Sequence, residues 1–108
     1  MMMHIKMLCW ALDVACGNVG EAEKYAEKAH HFREQHKAAA DWCAEMAKRH
    51  LEFNDKGASL MDQLCRELGE TKIGGEMMEA FKAMVHEKRG HLAERTAKVK
   101  MSLGMYER

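Results

Sequence analysis

The sequence predicts an all-α fold, an antiparallel bundle of three long helices built as a single domain over residues 1–108. Proline is absent, and the strong helix formers Ala, Glu, Lys, Met and Leu dominate the composition. β-branched residues are few, so strands are not expected. Apolar residues recur in alternating steps of three and four along three segments, which is the spacing of one face of a helix.

The first helix is predicted over residues 3–35. Its apolar row contains Ile5, Leu8, Leu12, Ala15, Val19, Ala22, Ala26 and Ala29. The row keeps its phase through Gly17 and Gly20, although a glycine costs about 1 kcal/mol in a helix interior. The pattern therefore favours one continuous helix, and a kink or break at the two glycines is the alternative.

The second helix is predicted over residues 39–68, and its apolar row is expected to be the face on which the other helices pack. That row contains Ala39, Cys43, Met46, His50, Phe53, Gly57, Leu60 and Leu64. A turn is predicted near residues 34–38, although this stretch contains neither Gly nor Pro. A second row can be drawn through Arg33, His36, Ala40, Cys43, Ala47, His50 and Asn54, so one helix of about sixty residues in a dimeric coiled coil is the alternative fold.

The third helix is predicted over residues 76–105, after a turn at 69–75 that contains three glycines and a threonine. Its apolar row contains Met78, Phe81, Val85, Leu92, Val99, Leu103 and Tyr106. Helices of this length each extend about 45 Å. Their similar lengths and short connections favour an up-down-up arrangement.

Several large apolar residues fall beside these rows rather than in them. They are Met7, Trp10, Tyr25, Phe32 and Trp42. Three thin helices cannot cover all of this surface, so we expect a homodimer that completes a six-helix core, or a higher oligomer. A helical face presented to another protein is the competing expectation.

Charge and hydropathy argue against two kinds of partner. The chain has 17 basic and 17 acidic residues, so it has no general attraction to nucleic acid or to anionic membranes. No apolar run approaches the roughly 20 residues of a membrane span. The apolar stretch 7–12 near the N-terminus is followed at once by Asp13, which argues against a secretion signal. We therefore expect a cytoplasmic protein without a nucleic-acid or membrane partner.

Residue patterns for catalysis are weak. Ser59 and Ser102 lack the glycine elbow of a nucleophilic serine. Cys43 and His50 share a helix face, but two helical turns separate them by about 10 Å, which is too far for proton transfer. The four cysteines form no C-x-x-C pair, which disfavours a zinc knuckle. We therefore expect no enzyme activity and no cofactor.

Metal binding is the alternative function, because the chain has seven histidines and many glutamates on predicted helices. Carboxylates and imidazoles one turn apart on an inward face can hold iron, manganese or zinc. The candidate ligands are Glu27, His30, His50, Glu87 and His91.

Four short stretches, at residues 21–29, 40–47, 78–88 and 105–107, resemble short helical proteins encoded in phages and prophages. Those proteins are similar in turn to the ferritin-like group that includes rubrerythrin. The resemblance spans residues 21–106, and it implies a ferritin-like helical bundle and a phage or prophage setting.

The resemblance also implies a di-iron site, and this chain departs from its pattern at three positions. Asn18 stands where a glutamate is expected, the segment 50–53 reads His-Leu-Glu-Phe instead of Glu-x-x-His, and His91 stands where a glutamate is usual. A di-metal centre needs several carboxylates to balance its charge. The resemblance therefore implies a bundle with a degenerate metal site and no oxidase activity.

Overall fold

The computed structural model describes residues 2–70 and 74–108, and within them it contains three helices and no strand. The helices are α1 (Met2–Phe32), α2 (Lys37–Gly69) and α3 (Glu76–Tyr106). They pack together into an elongated body of 57 × 18 × 16 Å. None of the helices in these residues has the length and apolar character needed to cross a membrane. The all-helical prediction is therefore confirmed.

Helix α1 runs without a break through both of its glycines. Seven members of its predicted apolar row are buried, and the eighth, Ile5, is half-buried. This helix has one dominant apolar stripe, so its phase could be determined from the spacing alone. The continuous helix is confirmed, and it does not break at the glycines.

The chain turns back between Phe32 and Lys37, so two separate helices form instead of one long helix. His36 stops the second helix from extending backwards, because its extended backbone and its ring nitrogen Nδ1 cap the helix. That nitrogen accepts a hydrogen bond of 3.1 Å from the backbone N–H of Ala39. Helix α1 ends three residues earlier than predicted, and α2 begins two residues earlier than predicted. The start of α2 was placed too late because histidine is not among the common capping residues.

Helices α1 and α2 form an antiparallel pair. His4 near the start of α1 contacts Glu67 near the end of α2, and Asn18 contacts Asn54 halfway along. At the end near the 33–36 turn, the buried residues between the two helices are mainly alanines, namely Ala22, Ala26, Ala29, Ala40, Ala44 and Ala47. Small side chains on both helices let the two backbones approach closely at this end. Larger side chains fill the opposite end, among them Leu8, Leu12, Met61, Leu64 and Leu68.

The predicted inward row of α2 is wrong in its middle part. Cys43 and Leu64 are buried as expected, but Phe53 is 64% exposed and Leu60 is 48% exposed. The buried residues of α2 are Ala40, Cys43, Ala44, Ala47, Leu51, Met61, Leu64 and Leu68. The alternative row through Ala40, Cys43, Ala47, His50 and Asn54 describes the first half of this inward side better. The narrow space beside the alanines of α1 admits small side chains, so the bulky residues of α2 lie outside it.

Helix α3 packs mainly on α1 and only lightly on α2. All seven residues of its predicted row are buried or half-buried. Across the gap to α2, the described side chains form three ion pairs, Lys48 with Glu107, Asp55 with Lys100 at 4.0 Å, and Asp62 with Arg89 at 2.6 Å. On the α1 side, Arg95 donates two hydrogen bonds to Glu23 at 2.5 and 3.0 Å, which lowers the pKa of that carboxyl group.

The connection from α2 to α3 includes residues 71–73, which lie outside the described part of the chain. The predicted turn at 69–75 therefore falls partly on them. Gly75 immediately precedes α3 and has a φ of 110°, a backbone conformation that glycine adopts without strain. Its place at this boundary agrees with the predicted start of the third helix at residue 76.

Candidate interaction face

One long side of the α1–α2 pair is apolar and open to solvent. We call it the outer face and define it by the residues Trp10, Val14, Tyr25, Trp42, Met46, Phe53, Gly57 and Leu60. Trp10 is 66% exposed and Trp42 is 58% exposed, which is unusual for the largest apolar side chains. Contiguous exposed apolar surface of this kind is typical of a binding surface.

The outer face lies on the side of the pair opposite to α3. Helix α3 contacts α1 at Glu23 and His30, and it contacts α2 at Asp55 and Asp62. Trp10 on α1 and Phe53 on α2 lie about half a turn around their helices from these contacts. The third helix therefore leaves this side of the pair uncovered.

Helix α2 consequently carries two apolar stripes. The inner stripe packs against α1 and α3, and the outer stripe runs through Trp42, Met46, Phe53, Gly57 and Leu60 in steps of four, seven, four and three. This outer stripe holds four of the eight residues that the sequence predicts to pack against neighbouring helices, namely Met46, Phe53, Gly57 and Leu60. Among the described residues no helix covers it.

One end of the outer face is a shallow apolar depression of about 160 Å³. Trp10 and Phe53 form its walls together with Leu60, and Val14 and Gly57 lie between them. A Cβ atom added at Gly57 would meet no atom within 4 Å, so the packing of the single chain does not require a glycine there. The depression has the dimensions to receive a bulky apolar side chain.

A polar cluster adjoins the outer face where the two helices meet. The ring nitrogen Nδ1 of His50 donates to the amide oxygen of Asn18 at 3.0 Å, because an amide oxygen can only accept. The amide group of Asn18 donates in turn to the side-chain oxygen of Asn54 at 3.0 Å, and the amide group of Asn54 donates to the backbone oxygen of Ala15. No buried side-chain nitrogen or oxygen among the described residues lacks a partner.

Aromatic contacts connect this cluster to the far end of the outer face. The ring of Tyr25 stacks on His50 with centroids 5.8 Å apart, and its edge meets Trp42 at 5.7 Å. These contacts orient Tyr25 and Trp42 without burying the tryptophan. The polar cluster therefore holds α1 and α2 in register beneath an apolar surface.

The predicted metal ligands lie in three separate places. Glu27 and His30 line a shallow groove on α1, where Nε2 of His30 is 2.9 Å from the backbone oxygen of Ser102. His50 belongs to the polar cluster on the other side of the pair. Glu87 and His91 form an exposed ion pair of 3.9 Å on α3.

The structure brings Glu87 and His91 together, as their spacing predicts, but it does not bring them to His50. Among residues 2–70 and 74–108, no group of three or more His, Cys, Asp or Glu side chains could hold a metal ion. The position of Asn18, which the resemblance assigns to a glutamate, holds an amide that hydrogen-bonds to His50.

Sequence reasoning missed the polar cluster as a unit. The signal was present, because Asn18 interrupts the flank of the first apolar row and Asn54 continues the alternative row of the second helix. Two asparagines and a histidine at the same height of an antiparallel pair can satisfy one another's hydrogen bonds. The register between the helices was needed to see this, and one sequence does not supply it.

Comparison of the chain with protein-family models, with curated proteins and with solved structures finds no match.

Proposed function

We propose that this protein is a non-catalytic helical interaction protein with a structural role, whose outer face is covered by another polypeptide in the functional state. The observation that supports this most directly is the exposure of both tryptophans on a single apolar side. Leaving such surface in water is unfavourable by about 25 cal/mol per Å², so covering it stabilises any complex that does so. The phage or prophage setting rests on the resemblance described above.

The proposal includes a ferritin-like metal position that has become degenerate. The hydrogen bonds of Asn18, His50 and Asn54 support this part, because the histidine that would serve as a ligand already donates to an amide. A thermal shift with Fe(II), Mn(II) or Zn(II) that disappears in the variant His50→Ala would contradict this part of the proposal. Such a shift would support the metal-binding alternative.

The two tryptophans provide the test of the interaction role, because the sequence contains no others. Protein labelled with 5-fluorotryptophan has two ¹⁹F resonances, which Trp10→Phe and Trp42→Phe assign. The difference in chemical shift between H₂O and D₂O reports how far each ring is exposed to water. This difference is measured for the pure protein and again after addition of an extract from the source cells.

We expect at least one of the two rings to lose its solvent isotope shift in one of these samples. The variant Leu60→Asp, which places a charge in the depression, is expected to keep both rings in water. If both rings of the folded wild-type protein stay fully exposed in both samples, the outer face is not a binding surface and the proposal is wrong.

A further inference from the structure

Building on the proposed function, we infer that the outer face binds a second copy of this chain about a two-fold axis parallel to the helices. In that arrangement α1 of each copy packs on α2 of the other. The four helices of the two outer faces form a core, and the two α3 helices lie outside it. Three observations support a second copy as the occupant.

The first observation is the area of the outer face. It runs about 27 Å along α2, from Trp42 to Leu60, and it spans two adjacent helices of about 10 Å diameter each. A face of these dimensions offers roughly 500 Å² per copy, and together with the charged residues beside it this approaches the roughly 800 Å² per partner of a standard stable interface. A short peptide would leave much of this surface uncovered.

The second observation is that the outer face contains both protruding and recessed elements. Phe53 and Trp10 project from it, whereas Gly57 and the depression beside it are recessed. In a two-fold interface each residue contacts a residue on the other copy and the reverse contact also occurs. A surface that has both shapes can therefore pack against itself.

The third observation is the charge along the two edges of the outer face, which fixes the direction of the axis. The contacts between His4 and Glu67 and between Asn18 and Asn54 show which residues lie at the same height. Counting from them places Asp13 within one turn of the height of Lys56, Glu21 within one turn of Arg49, and Lys24 within one turn of Glu45. Glu21 is partly exposed and the other five side chains are exposed.

Within one chain each of these α1 residues and its α2 counterpart lie on different helices of the pair. A two-fold axis parallel to the helices brings the α1 edge of one copy beside the α2 edge of the other. Asp13 then faces Lys56 of the second copy, and Glu21 faces Arg49 of the second copy. These two heights join opposite charges, and the existing same-helix pairs of Lys24 with Glu21 and Arg49 with Glu45 extend into the same networks.

The other two-fold arrangement, with its axis at the middle of α1, does not produce this match. An axis perpendicular to the helices would set α1 against α1 in antiparallel orientation. Around the middle of α1, that arrangement brings Asp13 near Glu21 of the second copy and Lys6 near Lys28. Like charges facing each other across an interface are unfavourable, so the parallel axis is preferred.

The test uses two charge reversals and their mixture. In a dimer of Asp13→Lys, position 13 of each copy carries a positive charge opposite Lys56 of the other copy. In a dimer of Lys56→Asp, position 56 of each copy carries a negative charge opposite Asp13 of the other copy. At low ionic strength each variant is expected to dissociate about tenfold more readily than the wild type, because each symmetric dimer contains the repulsive pair two times. Sedimentation velocity over a dilution series measures this change.

An equimolar mixture of the two variants is expected to form a heterodimer with wild-type affinity. In that heterodimer one edge has the natural pair and the other has the reversed pair, so both are attractive. Native mass spectrometry separates it from the homodimers. The exposed variant Glu87→Lys on α3 makes the same change in net charge as Asp13→Lys but away from the outer face, and it is expected to associate like the wild type.

Three results would overturn the inference. The first is a wild-type protein that is monomeric at all concentrations, and the second is a dimer whose dissociation neither reversal changes. The third is a mixture that dissociates as readily as each variant alone. A monomer whose fluorotryptophan rings become covered only in the cell extract would overturn the second copy as the occupant and leave the proposed function standing. Circular dichroism of each variant establishes that it is folded, which the exposure of Asp13 and Lys56 favours.

Discussion

Asn18 is the residue on which the register of α1 and α2 depends most directly. Its amide oxygen accepts from His50 and its amide nitrogen donates to Asn54, so one side chain joins two residues of the neighbouring helix. A side-chain hydrogen bond of this kind adds little to the free energy of unfolding, because in the unfolded chain water takes its place. Removing the side chain, however, leaves its partners unpaired in the folded protein. Polar pairs at one height also disfavour a shifted alignment of two helices, since any slip separates them.

Asn18→Ala is therefore expected to lower the free energy of unfolding by about 1–2 kcal/mol, since the N–H of His50 and the side-chain oxygen of Asn54 both lose a partner. Urea unfolding followed by circular dichroism at 222 nm measures the change. Glu94→Ala, at an exposed position of α3, serves as the control and is expected to stay within about 0.5 kcal/mol of wild type. An equal midpoint for Asn18→Ala and wild type would show that the cluster does not stabilise the fold.

At the scale of the helices, α2 is the element with two apolar sides, and Leu60 and Leu64, one turn apart on it, differ sharply in burial. Leu64 is 4% exposed in the cluster that also contains Leu8, whereas Leu60 is 48% exposed on the outer face. The two residues are chemically identical and four positions apart. They therefore make a matched pair for separating folding from association.

Leu64→Asp is expected to abolish the cooperative thermal transition, because an unpaired buried charge costs roughly 3–5 kcal/mol, comparable with the whole stability of a small domain. Leu60→Asp is expected to keep a cooperative transition when melted as a monomer, because its carboxylate stays in water. Melting curves at 222 nm distinguish the two variants. Equal loss of structure in both would mean that the outer face belongs to the folding core.

The three helices differ in how much of their packing could be predicted from the sequence. The phase of α1 followed from its single apolar row, and the start of α3 followed from the glycines before it. Helix α2 was misread, because its outer stripe contains the larger residues and the true inward side near the turn is made of alanines. Only the width of the space between the helices decides which stripe is inside, and that width depends on contacts between segments distant in sequence.

The outer face and the arrangement of the proposed metal ligands could, like the fold, be predicted only in part. The exposed aromatic residues beside the main rows indicated an uncovered surface, and Trp10 and Trp42 are indeed exposed. The proposed ligands could not be brought together from spacing within a helix, because the distance between His50 and the pair of Glu87 and His91 depends on how α3 is placed. A resemblance that rests on short stretches does not fix that placement.

At the scale of the whole molecule, α3 is attached less firmly than the other two helices. It packs mainly on α1, and its gap to α2 is crossed by exposed or half-exposed ion pairs such as Asp55 with Lys100. Ion pairs in water contribute at most about 1 kcal/mol each and are weakened by salt. Helix α3 is therefore the element with the lowest barrier to local opening.

We expect the backbone amides of α3 to exchange with D₂O faster than those of α1 and α2 under native conditions. Raising the salt concentration should accelerate exchange in α3 more than in the α1–α2 pair, because salt weakens the ion pairs that hold it. Hydrogen exchange with mass spectrometry resolves the three helices as separate peptides. Equal protection of all three, at both salt concentrations, would show that the molecule opens only as one unit.

The alanine contacts between α1 and α2 also bear on how the molecule responds to temperature. A methyl group has no rotamers to lose, so packing the end that contains Ala26 and Ala44 costs almost no side-chain entropy. The same methyl groups remove little apolar surface from water, so the contact between α1 and α2 at this end contributes little to the heat capacity of unfolding. The contact built from Leu8, Leu64 and Leu68 has the opposite balance. Cooling should therefore weaken the leucine contact first, and the two contacts between the same helices would have different temperatures of greatest stability.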